Sequence, residues 1–125
     1  MMFDTDILIF IQRQNPAAEE WVERAQKRFV SVQTYMELIQ GALSRKHVEY
    51  AKEFLRGLDF KILPLTENIG HRASIYIEEY AVSANLRTGD AIIAATAMEN
   101  NLPLITANVK HFKSIPDLKL VGFKP

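Results

Sequence analysis

Short apolar runs alternate along this chain with longer segments in which apolar residues recur at helical spacing. Short apolar runs are typical of buried strands, and the three-to-four spacing is typical of a helix with one buried face. The pattern predicts strands at 1–4, 29–32, 60–65, 104–106 and 119–123. It predicts helices at 5–13, 15–26, 32–43, 47–58, 67–85 and 88–100.

The alternation of strands and helices predicts an α/β fold. We expect a short, mostly parallel sheet of four or five strands with helices on both faces. In such folds the functional site lies outside the carboxyl ends of the strands. Asp4 falls at one such end, and Thr106 and Asn108 would lie on the same rim if their two strands are neighbours.

Composition narrows the class of protein. A length of 125 residues predicts one domain, 1–125, and the absence of cysteine fits a reducing cytosol. No segment has the pattern of a signal peptide or a membrane span, so we expect a cytoplasmic protein without a membrane partner.

The charges balance, with 15 basic and 15 acidic residues and a pI of about 6.8. This balance argues against a broad basic surface for nucleic acid, but it would hide a local one. Most local basic clusters are solvated helix faces. The clusters in this chain are Arg24, Lys27 and Arg28; Arg45, Lys46 and His47; and Lys110, His111 and Lys113.

Four acidic residues occur at predicted strand ends or helix starts: Asp4, Asp6, Glu37 and Asp90. Carboxylates that converge repel one another, and a hard divalent cation is the usual way to hold them together. A Mg²⁺-type site is therefore the first hypothesis. Helix capping is an equally good explanation for Asp4 alone, and a better one for Asp6.

Glu37 and Asp90 differ in how strongly their surroundings suggest a function. Glu37 shares a polar helix face with Gln33 and Gln40, where a carboxylate is usually exposed and without function. The opposite face carries an apolar stripe of Val32, Tyr35, Met36, Ile39 and Leu43. Asp90 begins the nearly apolar segment GDAIIAATAM, which predicts a buried helix with a carboxylate at its first turn.

Other kinds of site find little support. His47, His71 and His111 lack the spacing of a zinc site, and no Walker A, GxGxxG or GxSxG segment occurs. Residues 102–112 predict a strand followed by a polar turn. Asparagine is common in tight turns, so the turn alone would explain Asn108 without a role in a site.

Taken in order, four segments resemble a PIN domain, and more narrowly the VapC-type toxins of toxin–antitoxin pairs. They are the DTDIL opening, the YMEL helix, the GDAIIAATA helix start and the LITANVKHF ending. The resemblance covers essentially the whole chain. It implies a three-layer α/β/α sandwich and a Mg²⁺- or Mn²⁺-dependent endoribonuclease.

The resemblance also assigns roles to residues. It makes Asp4, Glu37 and Asp90 the catalytic, metal-binding acids, and it alone raises Glu37 to a functional residue. The family often has a fourth acid where this chain has Asn108, which can accept a hydrogen bond but adds no charge. Asp6 is a further candidate ligand. Substrate contacts are expected from Thr5, Thr106, Asn108, Lys110 and Lys113.

Toxins of this type imply partners. We expect an RNA substrate, a small antitoxin protein whose segment occupies the acidic groove, and a homodimer. Trp21, Tyr50 and Phe54 are candidates for an interface, although such residues more often belong to the core.

Two alternatives remain open on sequence alone. One is a PIN-like module that binds RNA or protein without cutting, which the neutral Asn108 favours. The other is a HAD-type phosphatase. The segment DTDI resembles the DxDx opening of that family, and Gly89-Asp90 resembles its late metal motif. No apolar strand leads into Gly89-Asp90, and the chain is short for that family.

Overall fold

A computed structural model describes all 125 residues and contains one five-stranded sheet. The strand order is β3-β2-β1-β4-β5, and every neighbouring pair is parallel. The strands are β1 (Met2–Phe3), β2 (Arg28–Ser31), β3 (Phe60–Leu63), β4 (Leu104–Thr106) and β5 (Leu120–Gly122). The predicted α/β/α architecture is confirmed, with a wholly parallel sheet.

Seven helices cover the sheet. They are α1 (Thr5–Gln12), α2 (Pro16–Arg24), α3 (Val32–Gln40), α4 (Arg45–Gly57), α5 (Glu67–Ala84), α6 (Thr88–Glu99) and α7 (Val109–Phe112). None of them is both long enough and apolar enough to cross a membrane.

Successive strand residues point to opposite faces and so divide the core in two. On one face, Met2 and Leu104 pack with the buried residues of α5 and α6. On the other face, Phe3 and Ile105 pack with residues of α1, α2 and α4. The central strands β1 and β4 are therefore covered on both faces, which explains why they read as continuous apolar runs.

Local sequence fixes several helix starts. Asn15 accepts a hydrogen bond from the Ala18 amide at 3.0 Å, and Pro16 occupies the first helical position. Ser31, Ser44 and Thr66 cap α3, α4 and α5 in the same way, and Asp4 caps α1 by accepting from the next amide, that of Thr5.

The structure corrects the predicted third helix. It ends at Gln40, so Leu43 lies beyond it and is 94% exposed, and Met36 is also exposed. The fully buried residue of α3 is instead Thr34, and Tyr35 and Leu38 pack against the core. The predicted apolar stripe is therefore wrong at Met36 and Leu43 but correct at Tyr35, because the face of α3 that packs against α1 and β2 is partly polar.

A second correction concerns the segment after β4. The predicted polar turn contains the short helix α7, whose Phe112 is fully buried against the α5–α6 side of the core. The structure agrees with the other predicted elements to within a few residues at each end, the usual uncertainty of helix and strand boundaries.

Helix α6 is buried nearly all round, and its small side chains set its distance from the sheet. We expect Ala94→Leu to lower the free energy of unfolding by about 1–3 kcal/mol, because Ala94 is fully buried and added methylenes must displace packed neighbours. Val82→Leu, at a fully exposed position of α5, should change it by less than about 0.5 kcal/mol. Denaturant titration measures both, and equal effects would contradict the packing described.

Candidate active site

The carboxyl ends of β1, β2 and β4 meet at one rim of the sheet, and the four acidic residues lie along it. Asp4 follows β1 and caps α1, and Asp6 lies in the first turn of that helix. Glu37 comes from α3, which begins directly after β2. Asp90 lies in the first turn of α6. We call these four side chains the acidic rim.

Asp4 is the most buried member of the acidic rim, with 6% of its surface exposed. Its Oδ1 accepts a hydrogen bond from the Thr5 amide at 2.8 Å, and its Oδ2 accepts one from the Thr106 hydroxyl at 2.7 Å. Burial, and then the neighbouring charges of Asp6 and Asp90, raise the pKa of Asp4 to about 7, against the opposing effect of these hydrogen bonds. The side chain is held in place in an environment that disfavours its charge.

Glu37 is joined to the acidic rim through hydroxyl groups. The Thr5 hydroxyl lies 2.8 Å from Glu37 Oε1 and 3.0 Å from the hydroxyl of buried Thr34. Thr34 is held in turn by Ser31, whose Oγ accepts from the Thr34 amide at 3.0 Å. Glu37 is therefore partly buried and oriented towards the rim, in contrast to the exposed, idle carboxylate that its helix face suggested.

Helix α6 approaches Glu37 closely at Gly89. A Cβ added at Gly89 would lie 3.2 Å from Gln33 Nε2 and 3.7 Å from Glu37 Oε2. The absence of a side chain at Gly89 lets the start of α6, and with it Asp90, come near α3.

Asp6 links the start of α1 to the loop after β4. Its Oδ2 accepts from the Ala107 amide at 3.0 Å and from the Asn108 side-chain amide at 3.1 Å. Its other oxygen, Oδ1, is buried without a hydrogen-bond partner. Burial raises the pKa of Asp6, and hydrogen bonds, the one from the Ala107 amide above all, oppose the shift. Asn108 is thus engaged with a carboxylate of the rim.

Asp90 has a neighbour that the sequence did not indicate. The Nδ1 atom of His111, on α7, lies 3.8 Å from Asp90 Oδ2. Burial raises the pKa of Asp90, and the nearby imidazole acts in the opposite direction. Histidine spacing gave no signal for this contact, because it depends on α7 folding back towards the start of α6.

The other predicted substrate residues fall into two groups. Thr106 is fully buried and its hydroxyl supports Asp4, while the Thr5 hydroxyl supports Glu37. Lys110 and Lys113 are exposed on and just after α7, on the rim side of β4. Trp21 and Phe54 are half-buried against the core, and exposed Tyr50 stacks on Phe54 with ring centroids 6.4 Å apart.

The donor set suits a hard divalent cation. All the groups are oxygens, and the site contains a buried carboxylate oxygen without a partner. Burial, together with repulsion from Asp6 and Asp90, raises the pKa of Asp4. As the side chains stand, no three acidic or histidine groups are close enough to hold one ion together. Holding an ion therefore requires side-chain rotation or shared water ligands, as is common for Mg²⁺.

The fold argues against the phosphatase alternative. Gly89 and Asp90 lie inside α6, and no strand leads into them. A late metal motif at a strand end is therefore absent.

The chain matches the PIN domain family over residues 1–118. It is similar to Ribonuclease VapC10 of Mycobacterium tuberculosis, with 35% identity over 123 residues that cover 95% of this chain and 90% of that protein. It is also similar to Ribonuclease VapC1 of Rickettsia felis, with 30% identity over 129 residues, covering 97% and 94% respectively.

Solved structures give the same picture. A toxin–antitoxin complex from Klebsiella pneumoniae has a TM-score of 0.78 and 32% identity, with coverage of 96% of this chain and 94% of that chain. VapBC-1 from nontypeable Haemophilus influenzae has a TM-score of 0.77 and 28% identity, covering 97% and 96%. Because both the sequence match and these relatives extend along nearly the whole chain, this protein belongs to the PIN domain family and groups within it with the VapC ribonucleases.

Proposed function

We propose that this protein is a divalent-metal-dependent endoribonuclease and the toxin of a type II toxin–antitoxin pair. The observation that carries the proposal is the burial of Asp4 beside two other acidic residues, which raises its pKa to about 7. A purely structural cap has no need of such neighbours. The similarity to proteins named as VapC ribonucleases supports RNA as the substrate.

The proposed catalytic residues are Asp4, Glu37 and Asp90, which would hold Mg²⁺ or Mn²⁺, with Asp6 and Asn108 as further candidate ligands. A bound cation would offset the repulsion between the carboxylates and the RNA phosphate and would activate water for attack on phosphorus. The protein's own contribution is to keep the acids oriented. Thr106 does so for Asp4 and Thr5 for Glu37, through hydrogen bonds of 2.7 and 2.8 Å.

Asn108 has a consistent role in this scheme. Its side-chain amide donates to Asp6 at 3.1 Å and so helps to orient that carboxylate. A neutral side chain at this position also leaves one charge fewer to repel the phosphate. Lys110 and Lys113, exposed near the same rim, are proposed to contact the RNA backbone.

The proposed protein partner is a small antitoxin, and the proposed assembly is a homodimer. The similarity to chains of toxin–antitoxin complexes supports the antitoxin. An antitoxin segment with a basic side chain would complement the acidic rim and would block access to it.

A non-cutting RNA- or protein-binding module is the second candidate, because Asn108 replaces an acidic residue that the family often has. The buried position of Asp4 favours catalysis over this alternative. A binding surface without chemistry gains nothing from a desolvated carboxylate.

Asp4→Asn should abolish metal-dependent cleavage of total cellular RNA. We expect a loss of about a thousandfold, because the substitution removes the most buried charge that would hold the cation. The assay compares wild type and variant with Mg²⁺ and Mn²⁺ and maps the cut sites by sequencing.

Asp117→Asn is the matched control, since Asp117 is exposed, lies before β5 and has a φ of 65° that asparagine tolerates. It should cut at the wild-type rate. Absence of cleavage by wild type with either metal would sink the nuclease proposal, and release of phosphate from small phosphomonoesters would favour a phosphatase.

Cleavage should depend on pH through Asp4. A proton and a cation compete for the same carboxylate, so at sub-saturating Mg²⁺ the rate should rise as pH increases through about 7. The Thr106 hydrogen bond favours the charged form, so Thr106→Val should raise the pKa of Asp4 and move the rise to higher pH.

Thr96→Val is the control for that shift. Thr96 is also buried, but its hydroxyl donates to the Ile92 carbonyl within α6 and does not contact the rim. Rate–pH profiles of the two variants should differ in midpoint. Coincident profiles would mean that the Thr106 hydroxyl does not set the charge state of Asp4.

Production of this protein alone in a bacterial host should slow growth, because uncontrolled RNA cleavage stops translation. Co-expression of its cognate antitoxin should restore growth, and Asp4→Asn should not slow growth at all. Growth curves with matched protein levels measure this. Equal toxicity of wild type and Asp4→Asn would separate the growth defect from the acidic rim.

A further inference from the structure

Two adjoining cavities lie at the opposite end of the sheet from the acidic rim. The first, of about 460 Å³, is lined by residues that begin β2 and β3, and the second, of about 490 Å³, continues along the end of α2. They share Gln26 and Lys27. Neither cavity includes a residue of the proposed catalytic site.

The linings of these cavities are strongly basic. They include four cationic side chains, which we call the basic face: Arg24, Lys27, Arg28 and Lys61. The only acid among them is Asp59. Although the whole chain has a net charge of zero, the residues that line these two cavities carry an excess of positive charge.

Most of this charge is not neutralised within the protein. Arg24 pairs with Glu20 at 3.6 Å, but both side chains are largely exposed, so the pair is weak. Lys27, Arg28 and Lys61 take part in none of the five ion pairs of the protein.

The sheet holds the basic face in a defined arrangement. Phe29 on β2 lies directly beside Lys61 on β3 in the parallel register. The guanidinium of Arg28 donates to the carbonyl of Leu58 at 2.7 Å and to that of Ala25 at 3.4 Å. The Arg28 side chain and the backbone at Lys61 are therefore held in place before an anion binds, which lowers the entropy cost of binding one.

Two aromatic rings line the same cavities as the cations. Phe29 lines the first cavity and Trp21 the second, and both are partly exposed. The Arg24 guanidinium carbon lies 5.8 Å from the centre of the Trp21 ring. Cations for phosphates beside aromatic faces for bases are the combination that single-stranded nucleic acid uses, whereas an acidic peptide needs only the cations.

We propose that the basic face is a second binding surface for single-stranded RNA, and this inference rests on the proposed ribonuclease function. The acidic rim by itself repels the backbone of an RNA until a cation is bound. A basic surface on the far side gives the protein a metal-independent hold on long substrates, and short ones do not reach it.

The test is the double charge reversal Lys27→Glu/Lys61→Glu, which changes two exposed side chains and should leave the fold intact. Binding of a single-stranded RNA of about 30 nucleotides is measured with EDTA present, so no cleavage occurs. We expect the affinity to fall by roughly tenfold, and the slope of log affinity against log salt to decrease by about 1.4, or about 0.7 for each lost phosphate contact.

Lys27→Gln/Lys61→Gln should have the same effect in weaker form, and thermal melts check that both variants are folded. The matched control is Arg45→Glu/Lys46→Glu, which makes the same charge change at exposed residues of α4 outside both cavities. It should lower the affinity much less than the basic-face reversal does.

Metal-dependent cleavage of an RNA of about four nucleotides should be unchanged in Lys27→Glu/Lys61→Glu, because so short a strand occupies only the acidic rim. This readout separates the two proposals. If the wild type does not cleave the short RNA, the nuclease proposal fails. If Lys27→Glu/Lys61→Glu binds the RNA of about 30 nucleotides as tightly as the wild type does, the basic face is not an RNA site. Equal losses in the α4 control would also overturn the basic face as an RNA site. A loss of antitoxin binding without a loss of RNA affinity would reassign the face to a protein partner.

Discussion

The organising constraint of this protein is a carboxyl group held almost entirely out of water beside other acids. Asp4 occupies that position because β1 lies in the middle of a parallel sheet and ends where β2 and β4 also end. The cost of desolvating its charge is visible as a pKa of about 7. Helix α1, the loop after β4 and the start of α6 are all arranged around this group, and a divalent cation would relieve the repulsion that they create.

Hydroxyl groups do most of the positioning at the acidic rim. Thr5, Thr34 and Thr106 connect side chains from α1, α3 and β4 through hydrogen bonds of 2.7 to 3.0 Å. Such groups orient carboxylates without adding charge of either sign, so the rim stays electronegative and ready for a cation. Asn108 extends this pattern by donating to Asp6 from a neutral side chain.

A net charge of zero does not require an even distribution of charge. Four acids meet near the ends of β1, β2 and β4, and the basic face lies where β2 and β3 begin. A parallel sheet separates the acidic rim from the basic face, because residues that precede the strands lie at one end of the sheet and residues that follow them lie at the other. An overall charge balance therefore argues only against a uniform basic coat, and it leaves room for two surfaces of opposite sign.

The sequence by itself determined the alternation of strands and helices, the helix caps such as Asn15, and the position of Asp4 and Asp90 at element boundaries. These features depend on periodicity and capping, which act over a few neighbouring residues. Glu37 was assigned to the site by family resemblance alone, since its polar helix face suggested an exposed carboxylate without function.

The tertiary structure decided what local pattern cannot encode. It determined the hydrogen bond between Thr5 and Glu37 and the approach of His111 to Asp90. It also determined the burial of Thr34 in place of Met36 and the position of the basic face. These features depend on residues far apart in the chain. The packing of whole helices and strands brings such residues together, and the local preference of a segment for helix or strand does not.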